Sequence, residues 1–347
     1  LVGARFTNWL GQLGPFEYVF LEFYYPRGIG LDEQPRYVMK RVLSEGPELA
    51  PVPREYLLAG PPVFVGRDEG LGSLGKRASS QVAIGTDITL LENVFPHGEP
   101  ALAANGNEMM LLYVSDNGAG GPLQRTDINW MRYDGTRWSA PQPIFADTRA
   151  EFAPQVLFDG NGDAIAIWER VKDPNFNTVD VTAMAAEMEI VWSRWDRASG
   201  QWSVPTVLTD NNHLDHGVQL SGPLSDGSLL AVWTENQQNR LIGDASVGEA
   251  SKDRVWWARW SHESKSWTAP QPLLPPLAGR TSQSLAARGA VGVYAWTQDV
   301  DGDLEDRSDE EVYYTTWTGS AWAAPTRLTT DSNSDRNVRA LIAADGE

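Results

Sequence analysis

The 347-residue chain has no cysteine, four histidines and no apolar run of 18 residues. Without cysteine there is neither disulfide nor thiolate chemistry, and the redox compartment is left unmarked. Without a long apolar run there is no helical membrane span, and Leu1 is not followed by a basic and then apolar leader. Positive charge is scarce as well: 28 Lys and Arg stand against 46 Asp and Glu, a net charge of −18. Such a surface repels a phosphate backbone, which excludes nucleic acid as a partner.

Tryptophan, by contrast, is abundant, with 15 residues. Four of them end one recurring phrase: Arg132-Tyr-Asp-Gly-Thr-Arg-Trp138-Ser-Ala-Pro141, Gly200-Gln-Trp202-Ser-Val-Pro205, Ser266-Trp267-Thr-Ala-Pro270 and Ala321-Trp322-Ala-Ala-Pro325. Recurrence at 64, 65 and 55 residues marks a repeat architecture. Each unit reads as four strands, A to D. Strand A ends in a Gly turn at Gly106, Gly160, Gly227 or Gly289, and strand B is a short apolar run, such as Ala164–Trp168 or Leu229–Trp233. Strand C is aromatic, with Arg132, Arg194 and Arg259 recurring and Thr316 breaking the pattern, and strand D is the Trp-x-x-Pro phrase. Proline cannot donate to a ladder, so Pro141, Pro205, Pro270 and Pro325 place strand D at an edge.

Four-stranded antiparallel sheets repeated with one protected edge describe an all-β chain, a β-propeller. Four blades are readable, 93–147, 148–210, 211–275 and 276–331, and 332–347 begins a further one, for five to six blades when closed. A β-sandwich is the alternative, but it gives no reason for the Trp register. Thirteen tryptophans occupy repeated positions and are assigned to packing between blades, with Trp256 and Trp9 outside the register. The repeated arginines are assigned to aromatic or carboxylate partners.

Residues 1–92 do not repeat the phrase. The run Phe16–Tyr25 reads as a strand, and the region is a degenerate blade, a set of closing strands or part of a preceding β domain. Gly70-Leu-Gly72-Ser-Leu-Gly75-Lys76 approaches a phosphate loop, but Arg77 replaces the hydroxyl residue and no helical period follows, so it reads as a Gly-rich loop. The negative excess lies from residue 93 onward, with 19 basic and 35 acidic residues.

In this topology the B–C and D–A loops share one face, and the variable spacing falls in the B–C loops, so binding is expected there. Asp299, Asp301, Asp303, Glu305 and Asp306 alternate around Gly302 in the last B–C loop, a set of hard oxygen donors suited to a structural calcium. Asp159-Gly-Asn161-Gly-Asp163 reads as a hairpin turn. His213, Asp215 and His216, placed in a D–A loop, and the out-of-register Trp256 are candidate ligand-binding residues, because His beside a carboxylate can hold a metal or exchange protons.

The blades resemble the degenerate neuraminidase-type repeats of sialidase-like propellers and bacterial surface proteins, over about residues 94–347. That resemblance implies an extracellular or cell-surface setting. The family's Asp box keeps its Gly-to-Trp spacing at Gly135/Trp138 and Gly319/Trp322, but Tyr133 and Trp317 stand at its Asp position. No arginine matches the family's carboxylate-holding triad, so the resemblance brings a scaffold without catalytic residues. The expected function is therefore a non-catalytic module of a larger protein, binding glycan or protein through the acidic loop face. A glycoside hydrolase or lyase with an unrecognised site, or a packing module joined to its own parent chain or neighbouring subunits, are the alternatives.

Overall fold

The computed structural model describes residues 91, 93–95, 98–116, 124–176, 181–244, 248–301 and 309–343, together with four strands between residues 6 and 50. The chain divides into two compact units, Leu1–Ile88 and Thr89–Glu347. In the first, β1 (Phe6–Gly14), β2 (Glu17–Tyr24), β3 (Arg36–Leu43) and β4 (Gly46–Ala50) form an antiparallel meander. The aromatic run of the sequence supplies β2. The Gly70–Lys76 loop lies outside the described residues.

The second unit is a series of β-propeller blades. Blade 1 holds β5 (Ala101–Asn105), β6 (Glu108–Asp116), β7 (Thr126–Tyr133) and β8 (Gln142–Pro143). Blade 2 holds β9 (Glu151–Phe158), β10 (Ala164–Val171), β11 (Met188–Asp196), β12 (Gln201–Trp202) and β13 (Thr206–Val207). Blade 3 holds β14 (Leu214–Ser221), β15 (Leu229–Asn236), β16 (Asp253–Ser261), β17 (Ser266–Trp267) and β18 (Gln271–Pro272). Blade 4 holds β19 (Arg280–Arg288), β20 (Val291–Asp299), β21 (Glu310–Trp317) and β22 (Thr326–Arg327). Each blade is an antiparallel A-B-C-D sheet, and the A strands β5, β9, β14 and β19 neighbour one another in succession. Beyond blade 4, Ala340 N–H donates to Ser284 Oγ at 3.0 Å, so the chain's last described stretch runs beside β19. Among the described helices the longest, α1 (Val181–Ala185), has five residues, and none is long and apolar enough to cross a membrane.

Strand D is not one strand but two short pieces on either side of its proline. Before the break, Ser139, Ser203, Thr268 and Ala323 N–H groups donate to the carbonyls of Arg132, Arg194, Arg259 and Thr316. After it, Ile144, Leu208, Leu273 and Leu328 N–H groups donate to Ile128, Ile190, Val255 and Val312. The proline has no N–H to offer between them. In blades 1 to 3 the hydroxyl after Trp accepts the strand C amide it faces: Ser139 from Arg132, Ser203 from Arg194 and Thr268 from Arg259, at 3.0, 3.1 and 3.0 Å. The Ser or Thr of the Trp-Ser/Thr-x-Pro phrase thus restores a ladder acceptor that the broken edge loses. Ala323 has no hydroxyl to do so.

Tryptophans fill the wedges. Trp168, Trp195, Trp233, Trp260 and Trp296 are fully buried, and no described Trp side chain is exposed. Edge-to-face pairs join neighbouring blades at Trp130–Trp202, Trp192–Trp260 and Trp257–Trp317, with centroids 5.9, 5.1 and 5.1 Å apart. The arginines take the partners expected of them: Arg132 lies over the Trp195 ring and pairs with Glu108, Arg194 pairs with Asp163, and Arg259 with Asp226.

Opposite the loop face, the A–B turns of blades 2 and 3 touch. Gly160 N–H donates to Gly227 O at 3.0 Å, and a Cβ on Gly160 would meet Gly227 Cα at 2.7 Å. The left-handed residue of the blade 2 turn is Gly162 (φ 79°), so Gly160 serves close approach rather than the turn itself. Asp159 closes this hairpin by accepting Asn161 and Asp163 N–H groups at 2.9 and 3.1 Å.

In blade 1 the C–D turn has Gly135 at φ 99°, matching Gly319. Asp134, one position later than the Asp box would put it, accepts Thr136 Oγ1–H and the Thr136 and Arg137 N–H groups. Those bonds, led by the Thr136 hydroxyl, hold its carboxyl down to about 2.

Candidate functional site

Strand register places one charged rung in each of blades 2, 3 and 4 where the B–C and D–A loops emerge. In blade 2 it runs Glu151–Arg170–Glu189, in blade 3 Asp215–Glu235–Arg254 and in blade 4 Arg280–Gln298–Glu311. Residues directly opposite on antiparallel strands point to the same face. Eight of these nine are charged, and the rung belongs to a belt of buried polar groups at this end. Burying so many ionisable groups costs folding energy unless partners compensate, which marks this end as the chemically loaded one.

A cavity of 240 Å³ lies between blades 2 and 3 at this end. Its walls include Asn211, Asp215, Trp233, Glu235, Trp256 and Pro270. Trp233 is the register partner of Trp256, two residues before Glu235 on β15, so both indoles and both carboxylates share one face. Asp215 Oδ1 accepts the Trp233 indole N–H at 3.1 Å and Oδ2 accepts Asn211 Nδ2–H at 2.9 Å. Burial, then the neighbouring Glu189 and Glu235 charges, push Asp215 up to about 8. Glu235 Oε1 lies 2.7 Å from His213 Nδ1. Glu189, reaching over from blade 2, accepts the Asn211 N–H at 2.6 Å and meets Lys172 Nζ at 3.3 Å, and burial raises its pKa too.

His213, Asp215 and Trp256 are therefore gathered at one site. Asp215 and His216 belong to strand β14 and not to a D–A loop, and this separates them. Successive strand residues face opposite ways, so Asp215 turns towards blade 2. His216 shares its face with its register partner Thr234, which accepts a hydrogen bond from Arg280 of blade 4. Burial and that guanidinium push His216 down to about 3, which leaves it neutral and unsuited to proton exchange near pH 7. Glu235, Asn211 and Glu189 were not singled out from the sequence. The signal that finds them is the rung register, legible only once strands A, B and C are aligned.

In the last B–C loop, Asp299 is buried and stands with Asp301 and Asp309. One carboxylate oxygen from each lies within 4.8 Å of the others. Asp301 N–H donates to Asp309 Oδ2 at 3.2 Å. Asp303, Glu305 and Asp306 lie outside the described residues. Asp309, in the same acidic stretch but beyond the expected ligand set, is brought back to Asp299 by the return into β21.

No protein-family profile matches the sequence, and no curated protein does. Among solved structures, an α-L-arabinanase from Penicillium chrysogenum complexed with arabinobiose is 12% identical, with 72% of this chain and 71% of that one aligned and a TM-score of 0.44. A thermostable family-43 glycoside hydrolase is 10% identical over 67% of this chain and 72% of its own, with a TM-score of 0.42. A sialidase from Trypanosoma rangeli is 11% identical over 66% of this chain and 37% of its own, with a TM-score of 0.41.

Proposed function

We propose that the second unit is a glycan-binding propeller module whose ligand enters the cavity between blades 2 and 3. The observation that supports this reading is the pairing of Trp233 and Trp256 with Asp215, Glu235 and Asn211 on one cavity wall. An indole face receives the apolar C–H face of a pyranose, while carboxylates and an amide accept and donate to its hydroxyls. Such a mix of aromatic surface and a few convergent polar groups is what a small-ligand site needs. Calcium at Asp299, Asp301 and Asp309 is part of this proposal; it would fix the last B–C loop on the same face, as three hard oxygen donors allow.

The test is a glycan array probed with the whole chain, with millimolar calcium and again with a chelator, alongside Trp256→Ala. Binding that the variant loses at least tenfold supports the module. Binding that the variant retains overturns it, as does silence in both arms.

One observation favours a second reading, a glycoside hydrolase. Asp215 and Glu235 are direct register partners, and Asp215 is held protonated at neutral pH beside a second carboxylate. A carboxyl kept protonated beside a second carboxyl group is the arrangement from which glycoside hydrolysis draws its general acid. Release of reducing ends from a bound glycan, abolished by Glu235→Gln, would establish it over binding alone.

A further inference from the structure

The cavity between blades 2 and 3 has a counterpart one blade earlier, and the repeat has reversed its character. Trp168 and Val191 are register partners as Trp233 and Trp256 are, and Arg170 stands two residues after Trp168 as Glu235 stands after Trp233. At the matching place between blades 1 and 2 lies a cavity of 460 Å³. There Arg170 replaces Glu235 and Val191 replaces Trp256. Arg149 and Lys172 complete three basic groups, against Glu189 and the exposed Asp210.

The two guanidiniums crowd onto one carboxylate. Asp147 Oδ2 accepts from Arg149 Nη1 at 2.9 Å and also from Arg170 Nη2, so two guanidiniums converge on one oxygen. Arg170 Nε lies 3.3 Å from Glu151 Oε1, but burial has pushed that carboxyl up to about 7, so it is only partly charged at neutral pH. Arg149 spends Nε on the Lys172 carbonyl and Nη1 on Asp147, which leaves its Nη2 edge for a further acceptor. Its side chain remains 30% accessible, whereas that of Arg170 is 9% accessible and fixed beneath it. The mouth is apolar: Phe145, Val204 and Val207 are 36%, 67% and 54% exposed and are three of the larger hydrophobic side chains left open on this unit. A cluster of exposed apolar groups above a guanidinium pair is what a ligand with an apolar body and an anionic head would cover.

We propose that the cavity between blades 1 and 2 is a second binding site, for a small carboxylate whose head joins Arg149 and Arg170 and whose apolar body rests on Phe145, Val204 and Val207. The paired guanidiniums supply a fork that suits a carboxylate better than a neutral group, and the low positive charge elsewhere on the chain makes this place distinctive. This cavity shares Asp210 with the Trp256 cavity but opens on its own basic lining, and the proposal does not depend on a glycan occupying the other.

Benzoate and its neutral counterpart benzamide are the probes, titrated into the whole chain and followed by ligand-observed NMR. Benzoate is expected to bind at least tenfold more tightly than benzamide. Arg149→Gln is expected to remove that preference without weakening benzamide. Val207→Asp, at an exposed position, is expected to repel benzoate with the circular dichroism of the fold unchanged, and Trp256→Ala to leave both probes as in the parent chain. Equal binding of the two probes, no binding of benzoate, or an unchanged preference in Arg149→Gln would each overturn the proposal.

Discussion

The indole N–H of Trp260, on strand C of blade 3, donates at 3.0 Å to Asp159 Oδ2, in the A–B turn of blade 2, across 101 residues of sequence. Both groups are buried. Asp159 uses its other oxygen to close its own hairpin, so one carboxylate both shapes a turn and ties two blades. Gly160, next to it, allows the two turns to approach.

Trp260→Phe keeps most of the ring volume but leaves Asp159 Oδ2 buried without its donor. The expected loss is about 1–3 kcal/mol of stability, the cost of an unsatisfied buried acceptor. Urea unfolding followed by circular dichroism checks it; Asp159→Asn, which sets an NH2 against either the Trp260 N–H or the two turn amides, should cost at least as much.

The outer edge offers a gain. Ser203→Ala and Thr268→Ala each remove the hydroxyl that accepts a strand C amide and should each cost about 1 kcal/mol. Ala323→Ser supplies that hydroxyl to blade 4 and should raise the thermal midpoint. A midpoint unchanged in all three variants would show that water serves the edge equally well.

Stability should fall as pH rises from 5 to 9. Burial raises Asp215 to about 8 and Glu151 and Glu169 to about 7, above their ordinary values of 3.8 and 4.5. Between those ordinary values and the raised ones the folded chain holds protons that the unfolded chain has released. Each such proton makes stability decline by about 1.4 kcal/mol per pH unit, and the decline ends above the folded pKa. Denaturation midpoints measured across this range should drop, and Asp215→Asn should flatten the slope. A profile identical to the parent's would exclude Asp215 as a contributor.

If calcium binds at Asp299, Asp301 and Asp309, it stabilises the folded chain by mass action. Adding millimolar calcium to chelator-treated protein should raise the melting temperature, magnesium should do so less, and Asp309→Asn should abolish the shift. Direct titration calorimetry gives the same answer independently.

Much of the fold could be read from the chain because the repeat is written in large residues. Trp138, Trp202, Trp267 and Trp322 mark the outer edge, the prolines three residues later explain why that edge is broken, and strand B declares itself as a buried apolar run. These are local signals, in which a ring too large to leave in water or an imide without N–H acts wherever it stands. The candidate site was only partly legible. His213, Asp215 and Trp256 could be named, but His216 was grouped with Asp215 although strand alternation turns it to the opposite cleft. Glu235 and Asn211 carried no local mark, and Asp309 stood in the acidic stretch without any sign that it would close on Asp299.

The sequence by itself therefore determined the blade, its edge and its packing, because those depend on side-chain volume, periodicity and missing donors. Only the tertiary structure decided which charges meet. Asp215 is raised by burial and then by the charge of Glu189 from the preceding blade, and Arg149 and Arg170 share Asp147, because the fold brings residues distant in sequence together at this end. Burial then sets their protonation, and neither burial nor neighbour is written at the residue itself.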